Sequence, residues 1–143
     1  MVYDAKTNNE KEVVAYFTLR ESSIPYIDCI NEDDETYDEE QCGISSIEIR
    51  MFAVSELYQD TFYNEDLIAA MIFRRIIYII DNMSNTSLGV KAIYLHSVEE
   101  AKTCYERNGI KKMEKYIMPF HSAESEYKGM YVFIREVNMC LDE

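Results

Sequence analysis

Two side chains of this sequence have the chemistry needed to move protons. Tyr105 is an aromatic hydroxyl in the second turn of a predicted helix, aimed back toward the end of the preceding strand. Glu48 lies within a predicted strand, where a partly desolvated carboxylate can relay a proton through water. Each also has a structural interpretation, because Tyr105 can be a core aromatic residue and Glu48 an outward-facing charge on a half-exposed strand. The residues alone leave both interpretations open.

Tyr105 belongs to a strand that is followed at once by a helix. The run Ala92–Leu95 is short and apolar, which is typical of a buried central strand, and His96 follows it, either beside a cleft or as a satisfied core histidine. Ser97 and Glu100 have the spacing of a capping box, which predicts that the helix begins after Ser97. Val98, Ala101 and Tyr105 share one face of this helix, and Gly109 is the residue that ends it.

The other predicted elements make this a mixed chain of strands and helices. Strands are predicted at Val13–Leu19, Ile47–Val54, Met113–Phe120 and Gly129–Val137. The segment Leu67–Ile80 is apolar on almost all sides and predicts a buried helix, followed by a loop at Asp81–Leu88. Asn64 has the residue type of an N-cap for that helix, which would place Glu65 and Asp66 in its first turn.

Length and composition predict one globular domain over residues 1–143, with residues 1–11 as a frayed lead-in. Hydrophobic residues make up 48 % of the chain, which argues against a disordered protein. The sequence shows no secretory leader and no apolar run long enough to span a bilayer, so we expect a cytoplasmic protein without a membrane partner. The four cysteines are scattered, and we interpret them as reduced thiols rather than as a metal site or disulfides.

The chain is strongly acidic, with a net charge of −13. The first 43 residues contain 12 acidic and 3 basic residues, and the remaining hundred contain 15 and 11. Nucleic acid requires a basic footprint, so this balance argues against a nucleic-acid partner and favours a cationic one. Segment 31–40 holds seven carboxylates between Glu32 and Glu40. It is either a solvated loop or an acidic lip that recruits a polyamine, a lysine side chain or a basic peptide.

The strand and helix around Tyr105 resemble the last strand–helix unit of the GNAT (Gcn5-related) N-acetyltransferases. The helix of that unit carries E-A-x-x-x-Y-E-x-x-G-F, and the matching positions here are Glu100, Ala101, Tyr105, Glu106, Gly109 and Ile110. The strand Val13–Leu19 is similar to the family's V-G-Y-Y-T-L, and Ile47–Val54 contains E-I-x-x-F-A-V, similar to E-I-x-x-x-A-I of the histone acetyltransferases. The similarity is greatest to the small toxin-like GNAT proteins, which carry L-H-A/S-x-x-E-E-A.

This resemblance implies an α/β (α+β) fold of the GNAT type, with a mixed, largely antiparallel sheet, a splayed central strand pair and flanking helices. It implies acetyl-CoA as the donor of an acetyl group to a primary amine of a small or cationic acceptor. Tyr105 matches the tyrosine that protonates the departing CoA thiolate, and Glu48 matches the general base of the histone acetyltransferases. The implied cofactor contacts are one strand end and nearby polar residues, namely Met51, Phe52, Ala53, Val54, Gln59, Asn64 and Ser97.

The sequence departs from the family pattern at two places. The glycines of R/Q-x-x-G-x-G/A, which cradle the pyrophosphate of CoA, are absent from the loop after Val54. The first strand and two helices that usually precede Val13–Leu19 are also nearly all absent. Two interpretations stay open: an acetyltransferase with a rearranged cofactor loop and no metal, or a catalytically degenerate GNAT-like binding module or inactive partner subunit. We expect a homodimer or a complex with a partner protein.

Overall fold

A six-stranded sheet forms the centre of the described chain, which covers residues 1–4, 12–29, 39–113 and 128–141 of this computed structural model. The strands are β1 (Val2–Asp4), β2 (Glu12–Cys29), β3 (Glu39–Val54), β4 (Phe62–Tyr63), β5 (Asp66–Leu67), β6 (Ala92–Ser97), β7 (Lys111–Lys112) and β8 (Lys128–Phe133). The helices are α1 (Ile68–Met83), α2 (Glu99–Arg107) and α3 (Ile134–Leu141). A 3-10 turn at Glu56–Tyr58 and a π-helical turn at Ser84–Leu88 complete the described elements.

The strands of the main sheet lie in the order β1-β2-β3-β6-β8-β7. Among the described strands, β3 and β6 run parallel to each other and every other neighbouring pair is antiparallel. β4 and β5 form a separate two-stranded hairpin. This arrangement confirms the prediction of a mixed, largely antiparallel GNAT-like sheet with flanking helices.

One face of the sheet carries the main hydrophobic core. Alternate residues of a strand share a face, so β3 and β6 present a continuous apolar surface there. α1 packs on this surface, with contributions from α2 and α3. The buried residues from the central strands and α1 are Ile47, Ile49, Ile93, Leu95, Phe73, Ile76, Ile77 and Ile80.

Helix α1 is amphipathic rather than buried on almost all sides. Ile76 and Ile80 are fully buried at a spacing of one helical turn, whereas Arg74 and Tyr78 are exposed. The prediction for Leu67–Ile80 was therefore wrong about the width of the buried face. The sheet covers one side of the helix, and the charged side remains in water.

The opposite face of the sheet carries a smaller apolar cluster and a group of polar side chains. Ile24, Ala92, Tyr94 and Met113 form its buried centre. Glu48 lies on this face beside Tyr94, because both residues alternate with the apolar residues of the main core. The two faces of the central strands therefore differ in polarity.

β2 and β3 form a long antiparallel ribbon, and both strands are longer than predicted. Val13–Leu19 and Ile47–Val54 lie within them, and the pairing continues outward to Cys29 and Glu39. Of the acidic segment 31–40, residues 39 and 40 belong to β3, and residues 31–38 lie outside the described residues. The acidic lip therefore stays a prediction.

The predicted loop Asp81–Leu88 is helical. α1 continues to Met83 and runs into the π-helical turn. The hydroxyl of Ser84 donates a hydrogen bond to the carbonyl of Asp81 at 2.7 Å, and the hydroxyl of Thr86 donates one to the carbonyl of Asn82 at 2.9 Å. Polar residues that suggested a loop thus bond back to the preceding helical turn.

The predicted strand Gly129–Val137 ends four residues early. β8 stops at Phe133, which lies opposite Ala92, the first residue of β6. Because β6 offers no partner beyond that point, the chain turns into α3 and buries Val137 in the main core.

Two further predictions, the frayed lead-in and the strand Met113–Phe120, fall only partly on the described residues. Val2–Asp4 forms β1 against β2, where the sequence predicted a frayed lead-in, and residues 5–11 lie outside the described residues. Of the predicted strand Met113–Phe120, residues 114–120 lie outside the described residues as well.

Replacing Ile80 with Ala tests the position of α1 on the sheet. Ile80 is fully buried, so Ile80→Ala should lower the free energy of unfolding by about 2–5 kcal/mol through lost burial and a residual cavity. Urea unfolding followed by circular dichroism measures this change. Met83→Ala, at an exposed position of the same helix, is the matched control and should cost far less. Equal losses in both variants would contradict the packing described above.

Candidate active site

The central parallel pair separates before either strand ends. β3 and β6 pair with each other over Ser46–Ile49 and Ala92–Leu95. Beyond these residues β3 continues to Val54 and β6 continues to Ser97, without pairing to each other. The structure thus confirms the predicted splayed central strand pair, and we call the opening between the two strand ends the gap.

A β-bulge at Arg50 marks the start of the gap. In the ribbon with β2, Leu19 lies opposite Ile49 and Thr18 lies opposite Met51, so Arg50 is an extra residue on β3. A bulge bends its strand and increases the local twist. The bulge therefore accounts for the divergence of β3 from β6 at this residue.

The end of β3 presents a free backbone edge toward the gap. Met51, Phe52, Ala53 and Val54 pair with β2 on one side, and within the described residues none of them pairs with β6 on the other. An extended ligand with amide groups can add to such an edge as a further strand. The structure brings these four predicted cofactor contacts together in one segment, and their role in binding stays a prediction.

Tyr105 lies on the main-core side of the sheet. Its ring centroid is 5.1 Å from that of Phe73 in α1, and Phe73 is 5.7 Å from Phe52 of β3. The three rings connect α2, through α1, to the free edge of β3. Burial raises the pKa of the Tyr105 hydroxyl, because a phenolate is poorly solvated there. The side chain is therefore held as a phenol that can donate a proton.

Backbone contacts, rather than the predicted capping box, position α2. The helix begins at Glu99, with Val98 as N-cap and no side-chain cap. The hydroxyl of Ser97 donates instead to the carbonyl of Val98 at 2.7 Å. The predicted capping box of Ser97 and Glu100 was therefore wrong, and the N-cap lies one residue later than predicted. Gly109 has a φ of 82° and ends the helix, as predicted. Ser97 is almost fully buried at the end of β6.

Glu48 is buried on the opposite face and is held by side chains from two neighbouring strands. The residue is 5 % exposed. Its carboxylate forms an ion pair with Arg20, which lies opposite it on β2. Nδ1 of His96 in β6 lies 3.8 Å from Oε1 of Glu48. The hydrogen bond from Arg20 to Glu48 and the charge of Glu48 raise the pKa of the Arg20 guanidinium.

Tyr94 completes a polar cluster, which we define as Arg20, Glu48, Tyr94 and His96. Tyr94 lies beside Glu48 in the parallel register. Its hydroxyl accepts a hydrogen bond from the hydroxyl of Ser22 at 3.1 Å. The rings of Tyr94 and His96 are edge to face, with centroids 5.6 Å apart. The cluster lies where the parallel pairing stops.

The two predicted catalytic residues lie on opposite faces of the sheet. Tyr105 packs on the main-core face, whereas Glu48 belongs to the polar cluster. Arg20 was not among the predicted site residues, because the predicted strand ended at Leu19. Extending the predicted strand by one residue would have included Arg20. Its pairing with Glu48, however, depends on the register between the two strands.

The loop between β3 and α1 does not follow the N-cap prediction. Asn64 and Glu65 have φ values of 50° and 71° and form the two-residue turn of the β4–β5 hairpin. α1 begins only at Ile68, whose N–H donates to the carbonyl of Thr61 at 3.0 Å. The prediction that Asn64 caps α1 was wrong, because a tight hairpin occupies the place of the capped loop.

This rearrangement changes the electrostatics at the start of α1. The first turn contains no acidic residue, contrary to the sequence prediction, and Asp66 instead pairs with Arg74 at 3.3 Å. The positive end of the helix dipole is therefore not offset by a first-turn carboxylate. Gln59 lies at the adjoining end of β3, where its Nε2 donates to the carbonyl of Val54 at 3.1 Å. The binding of a phosphate-bearing ligand at this helix end stays a prediction.

The described ranges of the chain contain neither a metal-binding cluster nor a membrane-spanning helix. No group of three or more His, Cys, Asp or Glu side chains among these residues has the arrangement of a metal site. The described helices are also too short or too polar to cross a membrane.

The sheet order, the splayed pair and the helix that carries Tyr105 define a GNAT-like fold, and solved bacterial toxins share it. The crystal structure of a bacterial toxin aligns with a TM-score of 0.65 at 14 % identity, covering 92 % of this chain and 66 % of the toxin chain. A mutant AtaT toxin bound to the C-terminus of the antitoxin AtaR and to acetyl-CoA aligns with a TM-score of 0.62 at 14 % identity, and the alignment covers 94 % of this chain and 67 % of the toxin chain. AtaT complexed with acetyl-methionyl-tRNAfMet aligns with a TM-score of 0.63 at 14 % identity, and the alignment covers 94 % of this chain and 70 % of the AtaT chain.

These comparisons confirm the toxin-like GNAT fold predicted from the sequence. Neither a protein-family model nor a curated protein matches the chain. The chain spans about two thirds of the length of the first toxin chains that it matches. At such low identity, the similarity establishes the fold and leaves the activity to be argued from the site.

The raised pKa of Tyr105 predicts a specific loss of stability at alkaline pH. The folded chain disfavours the phenolate, so stability from Tyr105 is complete below the ordinary tyrosine pKa of about 10 and is lost as pH rises through the higher folded value. Urea unfolding at stepwise increasing pH should therefore show a smaller decline for Tyr105→Phe than for the unaltered chain. The matched control, Tyr78→Phe, removes an exposed phenol and should keep the full decline. An identical decline in both variants would refute the burial of the Tyr105 hydroxyl.

Proposed function

We propose that the chain is an acetyl-CoA-dependent N-acetyltransferase that acetylates a primary amine of a small or cationic acceptor. The observation that carries this proposal is the free backbone edge of Met51–Val54, which borders the gap and is linked by aromatic contacts to Tyr105. A free edge at an opening in a sheet is where an amide-containing arm can bind as an added strand. The shared fold with acetyl-CoA-bound AtaT supports the same conclusion.

Two parts of the chain would hold acetyl-CoA. The backbone of Met51–Val54 would pair with its amide-containing arm, and the first-turn N–H groups of α1 that follow Ile68 would face its phosphates. Gln59, Asn64 and Ser97 remain further proposed contacts. When bound, acetyl-CoA supplies an acetyl group activated as a thioester.

The proton chemistry is divided between the two faces of the sheet. Tyr105 would donate its proton to the departing sulfur, because a phenol carries its proton at neutral pH. Glu48 lies on the opposite face, one residue before the end of the β3–β6 pairing, and would act there as the general base that accepts a proton from the acceptor amine. Separate faces would let donor and acceptor reach the gap from opposite sides.

Charge favours a cationic acceptor. The chain carries a net charge of −13, and a negative field attracts polyamines, lysine side chains or basic peptides to the protein. AtaT has been solved with acetyl-methionyl-tRNAfMet. For this chain we propose no nucleic-acid acceptor, because its composition lacks the basic excess that phosphate binding needs.

A second candidate is a non-catalytic GNAT-like binding module or an inactive partner subunit. The β4–β5 hairpin in place of the glycine loop favours it, because this hairpin exposes Phe62 and Tyr63, and the 3-10 turn before it exposes Leu57. AtaT binds the antitoxin AtaR. We accordingly propose a complex with a protein partner or a second copy of the chain. The free thiols of Cys42 and Cys104 support a reducing, cytoplasmic setting.

Calorimetric titration with acetyl-CoA tests the proposed enzyme. Binding with a micromolar Kd is expected for the unaltered chain and for Tyr105→Phe, because the ring contact with Phe73 is kept when the hydroxyl is removed. Thiol release with spermidine or a lysine-rich peptide should then fall by roughly 10²- to 10⁴-fold in Tyr105→Phe.

Methionyl-tRNA serves as the contrasting acceptor in the same assay. Acetylation of the tRNA but not of the cationic amines would overturn the acceptor class and leave the enzyme proposal in place. Absence of acetyl-CoA binding up to millimolar concentration, in protein shown to be folded by circular dichroism, would favour the binding module.

A further inference from the structure

We propose that a cavity at the start of β6 binds a small organic monoanion, namely a carboxylate with an apolar chain. The site is distinct from the gap, and its ligand binding does not depend on acetyl transfer. The cavity has a volume of about 420 Å³ and is lined by Ile44, Val90, Lys91, Phe133, Ile134 and Arg135. Small-molecule sites usually measure about 300–1,000 Å³ and have mostly apolar walls with a few polar groups that fix the ligand. The mixture of apolar and cationic lining residues matches this description.

The apolar walls of the cavity come from both hydrophobic clusters of the fold. Ile44 and Phe133 pack against the smaller cluster. Val90 and Ile134 pack against the main core. All four side chains are only partly buried, so apolar surface stays accessible in the cavity. A hydrocarbon chain placed there would remove this surface from water, and that burial would favour binding.

The backbone brings two cationic residues, Lys91 and Arg135, to the same cavity. The N–H of Ile134 donates a hydrogen bond to the carbonyl of Lys91 at 3.0 Å, and Arg135 is the next residue of α3. The guanidinium carbon of Arg135 lies 5.2 Å from the centre of the Phe133 ring, beside the apolar wall. Both cationic residues are exposed, so their charged groups can reach a ligand that enters from solvent.

These two cations have no acidic partner in the described part of the chain. The sequence contains 27 acidic and 14 basic residues, yet none of the ion pairs between described residues includes Lys91 or Arg135. Glu136, which follows Arg135 directly, pairs with Lys111 at 2.9 Å instead. Ammonium and guanidinium groups bind carboxylates through charge-assisted hydrogen bonds. A ligand carboxylate could therefore bind both cations while its chain lies along the apolar walls.

Backbone hydrogen bonds at the cavity favour a small ligand over an extended peptide. A peptide strand needs free N–H and C=O groups with which to pair. The N–H of Lys91 already donates to the carbonyl of Ser45 at 2.9 Å, and the carbonyl of Lys91 accepts from Ile134. Recognition at Lys91 is therefore left to its side chain.

The cavity is also separated from the gap along β6. Lys91 precedes the first residue of this strand, whereas the parallel pairing with β3 ends at Leu95. At the usual rise of a strand, these two residues are roughly 13 Å apart. A ligand in the cavity and acetyl-CoA in the gap would therefore bind without competing.

Calorimetric titration of the full chain with octanoate tests the proposed site. We expect a Kd of roughly 10–300 μM, which is within reach of an efficient ligand of this size. Hexanoate should bind roughly 10-fold more weakly, because two fewer methylene groups are buried. 1-Octanol and octylammonium share the chain of octanoate but lack its negative charge, and each should bind about 10-fold more weakly or worse.

Variants of the two cations locate the bound octanoate. Lys91→Gln and Arg135→Gln should each weaken its binding by about 10- to 100-fold, because each removes a charge-assisted hydrogen bond. Both positions are exposed, so we expect the circular dichroism of the folded chain in both variants. Arg75→Gln is the matched control, since the Arg75 guanidinium also lies over an aromatic ring, that of Tyr78 at 5.0 Å, outside the cavity. This variant should bind octanoate as the unaltered chain does.

Several outcomes would overturn the inference without affecting the proposed acetyl transfer. Octanoate binding that is unchanged in both Lys91→Gln and Arg135→Gln would place the ligand elsewhere. Equal affinity for octanoate and octylammonium would remove the role of the two cations. Absence of octanoate binding up to millimolar concentration, in folded protein, would rule out the site. Displacement of octanoate by acetyl-CoA would place it in the gap, whereas unchanged octanoate affinity at saturating acetyl-CoA is the expected result.

Discussion

The structure depends on one constraint: β3 and β6 can pair in parallel only as far as Ile49 and Leu95. Up to that point the core holds the strands together, and the bulge at Arg50 then turns β3 away. Backbone N–H and C=O groups exposed by this separation need partners. Water or a ligand must supply them, so the same feature that interrupts the sheet creates the candidate binding edge at Met51–Val54.

The two faces of the sheet beside the gap also carry side chains of different chemistry. On the main-core face, apolar packing around Phe73 keeps the Tyr105 hydroxyl protonated. On the other face, Arg20 compensates the buried charge of Glu48, and His96 lies at the point of strand separation. The proposed proton donor, Tyr105, and the proposed proton acceptor, Glu48, therefore lie on opposite faces of the sheet. This arrangement suits a reaction in which one group loses a proton while another gains one.

Local sequence patterns predicted the features that depend on short-range chemistry. The apolar run of β6 and the glycine that ends α2 are both confirmed, as is the splayed pair implied by the family resemblance. The helix starts were wrong where the backbone competes with side chains: Thr61 bonds the first N–H of α1, and Ser97 bonds a carbonyl instead of a helical N–H. The pairing of Arg20 with Glu48 was missed because strand register is set by tertiary structure.

Amide hydrogen exchange of the full chain, with and without acetyl-CoA, tests the central claim most directly. The proposed binding site for the acetyl donor is the free edge of β3, so exchange in Met51–Val54 should slow when acetyl-CoA is added. Exchange in β1, on the far side of β2, should stay the same. Unchanged exchange in Met51–Val54 at saturating acetyl-CoA, or protection confined to another part of the chain, would contradict the account.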